Sequence, residues 1–248
     1  MTGAGRGIGK AIALAFASAG ADLVLAGRDA ATLEATAAEA ADAATLAVVT
    51  DVTDEVAVER LSERTLGRFG RVDVVVANSG VGGPSGPVRE LSRADWDETF
   101  AVNVTGVWLC ARAFLPSMVD AGGGSFIAIG SMTGKRPLWG RTPYAASKTA
   151  LIGLVRTLAL ETAASGVRVN LVSPGPVASE RMEWVFRAQA EGRGITEEQA
   201  RREMVEQIPI GRLIEPGEVA DAVVGVGLGR MSAVTGEDLN VSGGMVMY

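Results

Sequence analysis

The sequence predicts a doubly wound α/β fold: one domain built on a parallel sheet with helices on both faces. Two observations carry this prediction. Short runs rich in Val and Ile alternate along the chain with longer helical patterns, and strict alternation implies right-handed crossovers between parallel strands. The composition, with 32 Gly, much Ala and 5% aromatic residues, suits helices packed closely on such a sheet better than a β-sandwich. No linker, repeat or low-complexity tract divides the 248 residues, a length that buries about three quarters of the unfolded surface.

The chain opens on Thr2-Gly3-Ala4-Gly5-Arg6-Gly7-Ile8-Gly9, a glycine-rich loop that runs into a helix over residues 7–19. Gly3 and Gly7 let the backbone approach a pyrophosphate, and the helix behind Gly9 points its positive end at that anion. Such a loop normally hangs from a β-strand. Met1 leaves no room for one, so the first strand is expected to be missing, by truncation or in a strandless, impaired variant. Ser18-Ala19-Gly20 then stops the helix. Strands are expected at Leu23–Ala26, Leu46–Val49, Val72–Ala77, Ser125–Gly130, Val167–Val172 and Asp238–Val241. Helices fill the intervals at 29–41, 54–69, 94–120, 143–164 and 216–229. Residues 178–207 break the rhythm with two amphipathic stretches joined at Glu191-Gly192-Arg193-Gly194, Thr196 and Gln199 starting the second as a capping box. An insertion after a strand's C-terminal end is where an α/β enzyme places a substrate lid, although surface decoration or an oligomer contact fits the pattern as well.

Several function classes drop out. The net charge is −6 with no long basic run, which argues against nucleic acid. No basic n-region opens the chain, and the apolar stretch Ala11–Ala26 is interrupted by Asp22 and a helix stop; a cytoplasmic protein without membrane contact is expected. The single cysteine, Cys110, forms no intrachain disulfide. There is no histidine, which removes Ser-His-Asp and Cys-His mechanisms and the commonest transition-metal ligand, and no metal is expected. Acid–base chemistry falls to carboxylates, Tyr, Lys or water.

The strongest chemical pattern lies in "SMTGKRPLWGRTPYAASK". Tyr144 and Lys148 stand at i, i+4 and leave one helix face a turn apart. An ammonium beside a phenol, ordinarily of pKa about 10, favours the phenolate, which brings Tyr144 toward useful acid–base range. Ser131, at the end of a strand, can hold a carbonyl oxygen. Alone, the pair also reads as a surface Tyr–Lys contact.

Together with "ANSG" (77–80), "NVTG" (103–106) and "SPGPV" (173–177), these motifs resemble the short-chain dehydrogenase/reductase family, specifically its compact oxoacyl-reductase-like branch. The resemblance covers nearly the whole chain, with several motifs in the family's order and spacing. It implies a Rossmann fold with strand order 3-2-1-4-5-6-7. It implies a catalytic tetrad of Asn103, Ser131, Tyr144 and Lys148, with Tyr144 transferring a proton while Lys148 holds the nicotinamide ribose. It implies further cofactor contacts from Gly3, Gly7, Ile8 and Gly9, from Asp51 and Val52 at the adenine, and from Asn78 and Gly80 at the ribose. Pro174, Gly175, Val177 and Ser179 would shape the nicotinamide pocket. A homotetramer, or a homodimer, on helices 94–120 and 143–164 is also implied.

The turn after "DLVLAGRD" bears on the cofactor. An acid at the strand end would chelate the ribose diol of NAD; Gly27 stands there, followed by Arg28, and Arg6 adds a second cation. Guanidinium forks suit a 2′-phosphate, so NADP(H) is favoured and NAD(H) remains open. Asp29 is the countervailing feature. The implied substrate pocket, Val81, Met132, Leu138, Trp139, Met182 and Trp184, is apolar with no fixed cation, which points to a hydrophobic ketone or secondary alcohol. Arg136 and Arg141 would serve only an acidic carrier. The expected activity is NADPH-dependent carbonyl reduction or the reverse oxidation. Its rivals are a non-catalytic dinucleotide-binding regulator and an epimerase or dehydratase, for whose usual C-terminal substrate domain the chain leaves no room.

Overall fold

The structure, a computed structural model, describes residues 1–248, the side chain of Ala188 excepted. Six parallel strands form its centre: β1 (Leu23–Gly27), β2 (Thr45–Val49), β3 (Val74–Ala77), β4 (Gly124–Ile129), β5 (Val167–Pro174) and β6 (Asp238–Val241). β1 pairs with β2, and β3, β4, β5 and β6 follow one another in a second run. Period-2 alternation sends successive residues to opposite faces. Val75, Ala77, Phe126, Ala128, Val169 and Leu171 join one core with Leu61, Phe114 and Leu151. Val76, Ile127, Ile129 and Val172 join the other with Ile12, Phe16 and Val223. The two cores are the two faces of the doubly wound sheet.

No strand precedes the helix at Gly7–Ser18, and the slot between β1 and β3 holds only an isolated bridge. Met1 and Thr2 occupy it. The Met1 ammonium donates to Val24 O (2.8 Å), Met1 O accepts from Ala26 N (2.9 Å), and Thr2 N donates to Val76 O (3.0 Å). Thr2 bridges Ala26 in parallel. Their peptide groups face both neighbours, so the order reads β2-β1-Met1/Thr2-β3-β4-β5-β6. Ala4 N then donates to Ala26 O (3.2 Å), anchoring the glycine loop to the sheet.

Helices α1 (Gly7–Ser18), α2 (Ala30–Glu39), α3 (Glu55–Phe69), α6 (Thr142–Thr162) and α9 (Pro216–Gly227) fall close to their expected places. The expected helix over 94–120 is instead three pieces: α4 (Arg93–Phe100), a π-helical turn at Ala101–Thr105, and α5 (Gly106–Asp120). By length and composition alone Arg93–Asp120 is long and apolar enough to cross a membrane, but Leu109, Cys110, Phe114 and Met118 are packed in the core. Burial pushes the Cys110 thiol up to about 12, so it stays protonated. Residues 178–207 contain α7 (Glu180–Arg193) and α8 (Glu197–Glu206), and Thr196 and Gln199 make their capping box. Phe186, Ala200 and Ile208 give this pair a small core of its own.

Candidate active site

The glycine loop is built for close approach. Gly3 and Gly7 have φ of 64° and 55°, which favour glycine. A Cβ on Gly9 would overlap Gly3 O, whereas around Gly7 the corresponding space is open. No side chain caps α1 and its first turn carries no acid, so the N–H groups of Gly7, Ile8 and Gly9 are free to receive an anion at the helix's positive end. These features fit the pyrophosphate of a nicotinamide dinucleotide.

Thr2 and Asn78 brace the loop. The Thr2 hydroxyl accepts from Asn78 N and Ser79 N, both at 3.0 Å. Asn78 Nδ2 donates to Thr2 O (3.1 Å) and Gly3 O (3.2 Å). Asn78, expected beside a ribose, therefore spends its amide on shaping the loop. Thr2 escaped the sequence reading, since a Thr before a glycine run carries no signal of a partner 76 residues away. Arg6 and Arg28 are exposed, while Asp29 accepts from Ala31 N (3.0 Å) as the cap of α2. Asp51 holds Thr53 N (2.9 Å) and Thr53 Oγ1 (2.8 Å). Those bonds, the backbone one first, keep its carboxyl below the usual range. Val52 is buried against Gly106.

The four tetrad candidates come from the π turn (Asn103), the end of β4 (Ser131) and α6 (Tyr144 and Lys148), and meet at the C-terminal ends of β3 and β4. Asn103 sits fully buried in the π turn; its Oδ1 accepts from Val81 N (2.8 Å) and its Nδ2 donates to Val81 O (3.0 Å) and Ser147 Oγ (3.0 Å). A π turn re-aims a side chain that a regular helix would hold in register, and such turns favour functional sites. Ser147 passes the chain on to Tyr144 O (2.8 Å). Lys148 Nζ donates to Ile129 O (2.7 Å) and lies 5.9 Å from the centre of the Tyr144 ring. Gly80 lies where a Cβ would touch Asn103 Oδ1 (3.3 Å) and Lys148 Nζ (3.5 Å).

The Ser131 hydroxyl lies beside the Tyr144 phenol and favours its charged form. Burial pushes the phenol up, but the charges of Lys148 and Arg181, the Ser131 hydroxyl and the Arg141 charge outweigh this and hold it below the ordinary tyrosine value. Burial likewise lowers Lys148, Tyr144 opposing and Arg181 adding. A buried phenol so placed can give a proton to an oxygen held by Ser131, or take one back.

Beyond the tetrad, Gly175 abuts Ser242, where a Cβ would come within 2.8 Å of its Cα. Val177 bridges Ile214. Ser179 caps α7 through Met182 N (3.3 Å), so its hydroxyl is used structurally. The expected apolar pocket needs correction. Trp139 and Trp184 stand in solvent, 81% and 57% exposed, and Leu138 is 39% exposed. Met132 is buried, and Met182 packs into the α7–α8 core. Neighbourhood in sequence does not fix side-chain direction, and of the six only Val81 is tied directly to the tetrad. Nor is the site without a fixed cation. The Cζ atoms of Arg141 and Arg181 lie 5.0 and 5.5 Å from the Tyr144 ring centre. Arg181 carried no sequence signal, because it reaches the site only when α7 folds across it. Arg136 instead meets Gln207 Oε1 (3.3 Å).

Fold and site define an α/β oxidoreductase that uses a nicotinamide dinucleotide. The family model described as "Enoyl-(Acyl carrier protein) reductase" matches residues 3–246. The 3-oxoacyl-[acyl-carrier-protein] reductase FabG of Thermotoga maritima is 32% identical over 249 residues, covering 100% of this chain and 96% of that one. The crystal structure of levodione reductase superposes with a TM-score of 0.94 at 31% identity, covering 100% and 96%. That of 3-ketoacyl-(acyl-carrier-protein) reductase from Brucella melitensis complexed with NADH gives 0.89 at 30%, covering 99% and 96%. The chain belongs to the short-chain dehydrogenase/reductase family, and it is an enzyme acting between CH–OH and C=O.

Proposed function

We propose that the protein reduces a ketone with NADPH, or oxidises the corresponding secondary alcohol, using Tyr144 as proton donor or acceptor. The observation that carries this reading is a buried Tyr144 phenol flanked by Ser131 and Lys148 and held below its ordinary pKa, with buried Asn103 bonded through Ser147 to the Tyr144 backbone. When bound, the nicotinamide exchanges a hydride with the substrate carbon. Ser131 orients the substrate oxygen, and Tyr144 gives it the proton that completes the alcohol, or removes that proton in oxidation. Lys148, fixed by Ile129 O, holds its side-chain nitrogen beside the phenol. Asn103 holds Gly80–Val81 and, through Ser147, the first turn of α6 in one frame. Gly3, Gly7, Ile8 and Gly9 would hold the pyrophosphate.

The preference for NADP(H) rests on Arg6 and Arg28, neither of which pairs with a carboxylate within 4 Å among the described residues, and on Asp29 being spent on its helix cap. Kinetics with each cofactor test it. Arg28→Ala is expected to raise KM for NADPH about 10–100-fold, the worth of a charge-assisted phosphate contact, and to leave KM for NADH unchanged. Equal losses with both cofactors overturn the preference. Exposed Trp108 (43%) on α5 and Leu160 (84%) on α6 support self-association through these helices as a homotetramer. Light scattering checks this, and a monomer mass refutes it.

A further inference from the structure

Three cations surround the Tyr144 ring. All three favour the phenolate, but Lys148 alone comes with Tyr144 on α6, and two further guanidinium groups exceed what that role needs. They come from the entry to α6 and from the first turn of α7, not from the glycine loop that would hold the dinucleotide's phosphates. Both converge on Gly82, in the loop that follows β3. Arg141 Nη2 donates to Gly82 O (2.7 Å), and a Cβ at Gly82 would collide with the Arg181 guanidinium and stand 3.2 Å from that of Arg141. Among the described residues, neither arginine nor Lys148 has a carboxylate within 4 Å. Glu183, on the same turn as Arg181, is taken by Arg201.

Two guanidinium groups repel, and holding them side by side at a partly dehydrated site is unfavourable until an anion lies between them. Arg141 is indeed lowered, by burial first and by the Arg181 charge second. Each guanidinium has five N–H donors in a planar fork. Arg141 commits only one nitrogen, to Gly82 O, and Arg181 makes no hydrogen bond among the described residues. The unused donors match a carboxylate, which accepts bidentate bonds.

Given the carbonyl reduction proposed above, on which this rests, we propose that Arg141 and Arg181 form the anion-binding end of the substrate pocket, and that the substrate is an oxo acid or hydroxy acid with its carboxylate a few bonds from the reacting carbon. The anion site then supplies what the apolar pocket expected from the sequence lacked: a fixed point from which the carbonyl is aimed at Ser131 and Tyr144.

The test separates binding from turnover. Calorimetry compares pentanoate with pentanamide and with butyl phosphate on the NADP-loaded protein. Kinetics compare 3-oxobutanoate and 4-oxopentanoate with their methyl esters. Pentanoate is expected to bind about 10–100-fold more tightly than the amide, and each acid to exceed its ester in kcat/KM by a similar factor that shrinks with added salt. R181Q and R141Q should each erase most of that preference, the acid-to-ester ratio within each variant cancelling any effect of the lost charge on Tyr144. R181K should restore part of it. G82A, whose methyl group displaces flexible guanidinium tips rather than backbone, should erase it without removing charge.

Equal binding of acid and amide, or a preference that survives both R141Q and R181Q, overturns the anion site. Tighter binding of butyl phosphate than of pentanoate overturns its assignment to a carboxylate. A carboxylate preference in binding, with no carbonyl reduced, overturns the reductase reading and leaves the anion site standing.

Discussion

Tyr144→Phe should lower kcat/KM for carbonyl reduction by about 10²–10⁴-fold, the worth of a positioned general acid, with dinucleotide affinity unchanged. The ring survives in this variant, so its contacts with Lys148, Arg141 and Arg181 remain; only the phenolic hydroxyl beside Ser131 is lost. Steady-state kinetics and a fluorescence titration with NADPH measure the two quantities. Wild-type-like turnover would remove Tyr144 from the chemistry and favour a dinucleotide-binding regulator. The pH profile carries the same argument with a defined sign. Reduction needs the neutral phenol, so its rate is high at low pH and falls as pH rises through the Tyr144 pKa. Oxidation needs the phenolate and rises through the same value. That midpoint lies below the ordinary tyrosine value of about 10, and R181Q, by removing a cation that lowers it, moves it upward. An unmoved midpoint would mean that Arg181 does not act on the phenol.

Gly9→Ala has the second large effect, on the cofactor loop and on stability together. Its Cβ would overlap Gly3 O and stand 2.6 Å from Asn78 Nδ2. The obstacle is largely backbone, and Asn78 is the residue that ties the loop to β3. Overpacking of this kind costs about 1–3 kcal/mol, and for a domain of this size each kcal/mol lowers Tm by about 2–4 °C. Because the displaced atoms form the phosphate cradle, NADPH affinity should fall at least about tenfold. Gly7→Ala is the contrast. Nothing stands within 4 Å of its Cβ position, so stability loses only the left-handed backbone cost of about 1–2 kcal/mol, while the methyl group enters the space left for the ligand. Differential scanning fluorimetry with and without NADPH distinguishes them. Unaltered Tm and affinity in Gly9→Ala would show that the loop yields freely.

Local chemistry made much of this molecule readable in advance. Alternating Val/Ile runs and helical stretches gave the parallel α/β architecture, because a period of 2 or 3.6 is a property of the segment itself. Tyr144 and Lys148 were readable as a pair because i, i+4 places them on one face. The glycine loop was readable because φ above zero and close approach exclude other residues. The capping box at Thr196 was readable because it closes within four residues.

Long-range placement settled the rest. Met1 and Thr2 bridge β1 and β3 because those strands present peptide groups on either side. The helix through 94–120 contains a π turn at Asn103, whose amide is satisfied by Val81 and Ser147 from other elements. Trp139 and Trp184 look like pocket residues by position but point into solvent. Arg181, invisible in its own segment, is carried to the Tyr144 ring by the placement of the first turn of α7. The backbone period and the i, i+4 spacing of Tyr144 and Lys148 are encoded locally, so the sequence by itself determined the fold class, the family and the candidate tetrad. The direction of each side chain and the charge around the phenol depend on contacts between segments far apart in the chain, and only the tertiary structure decided them.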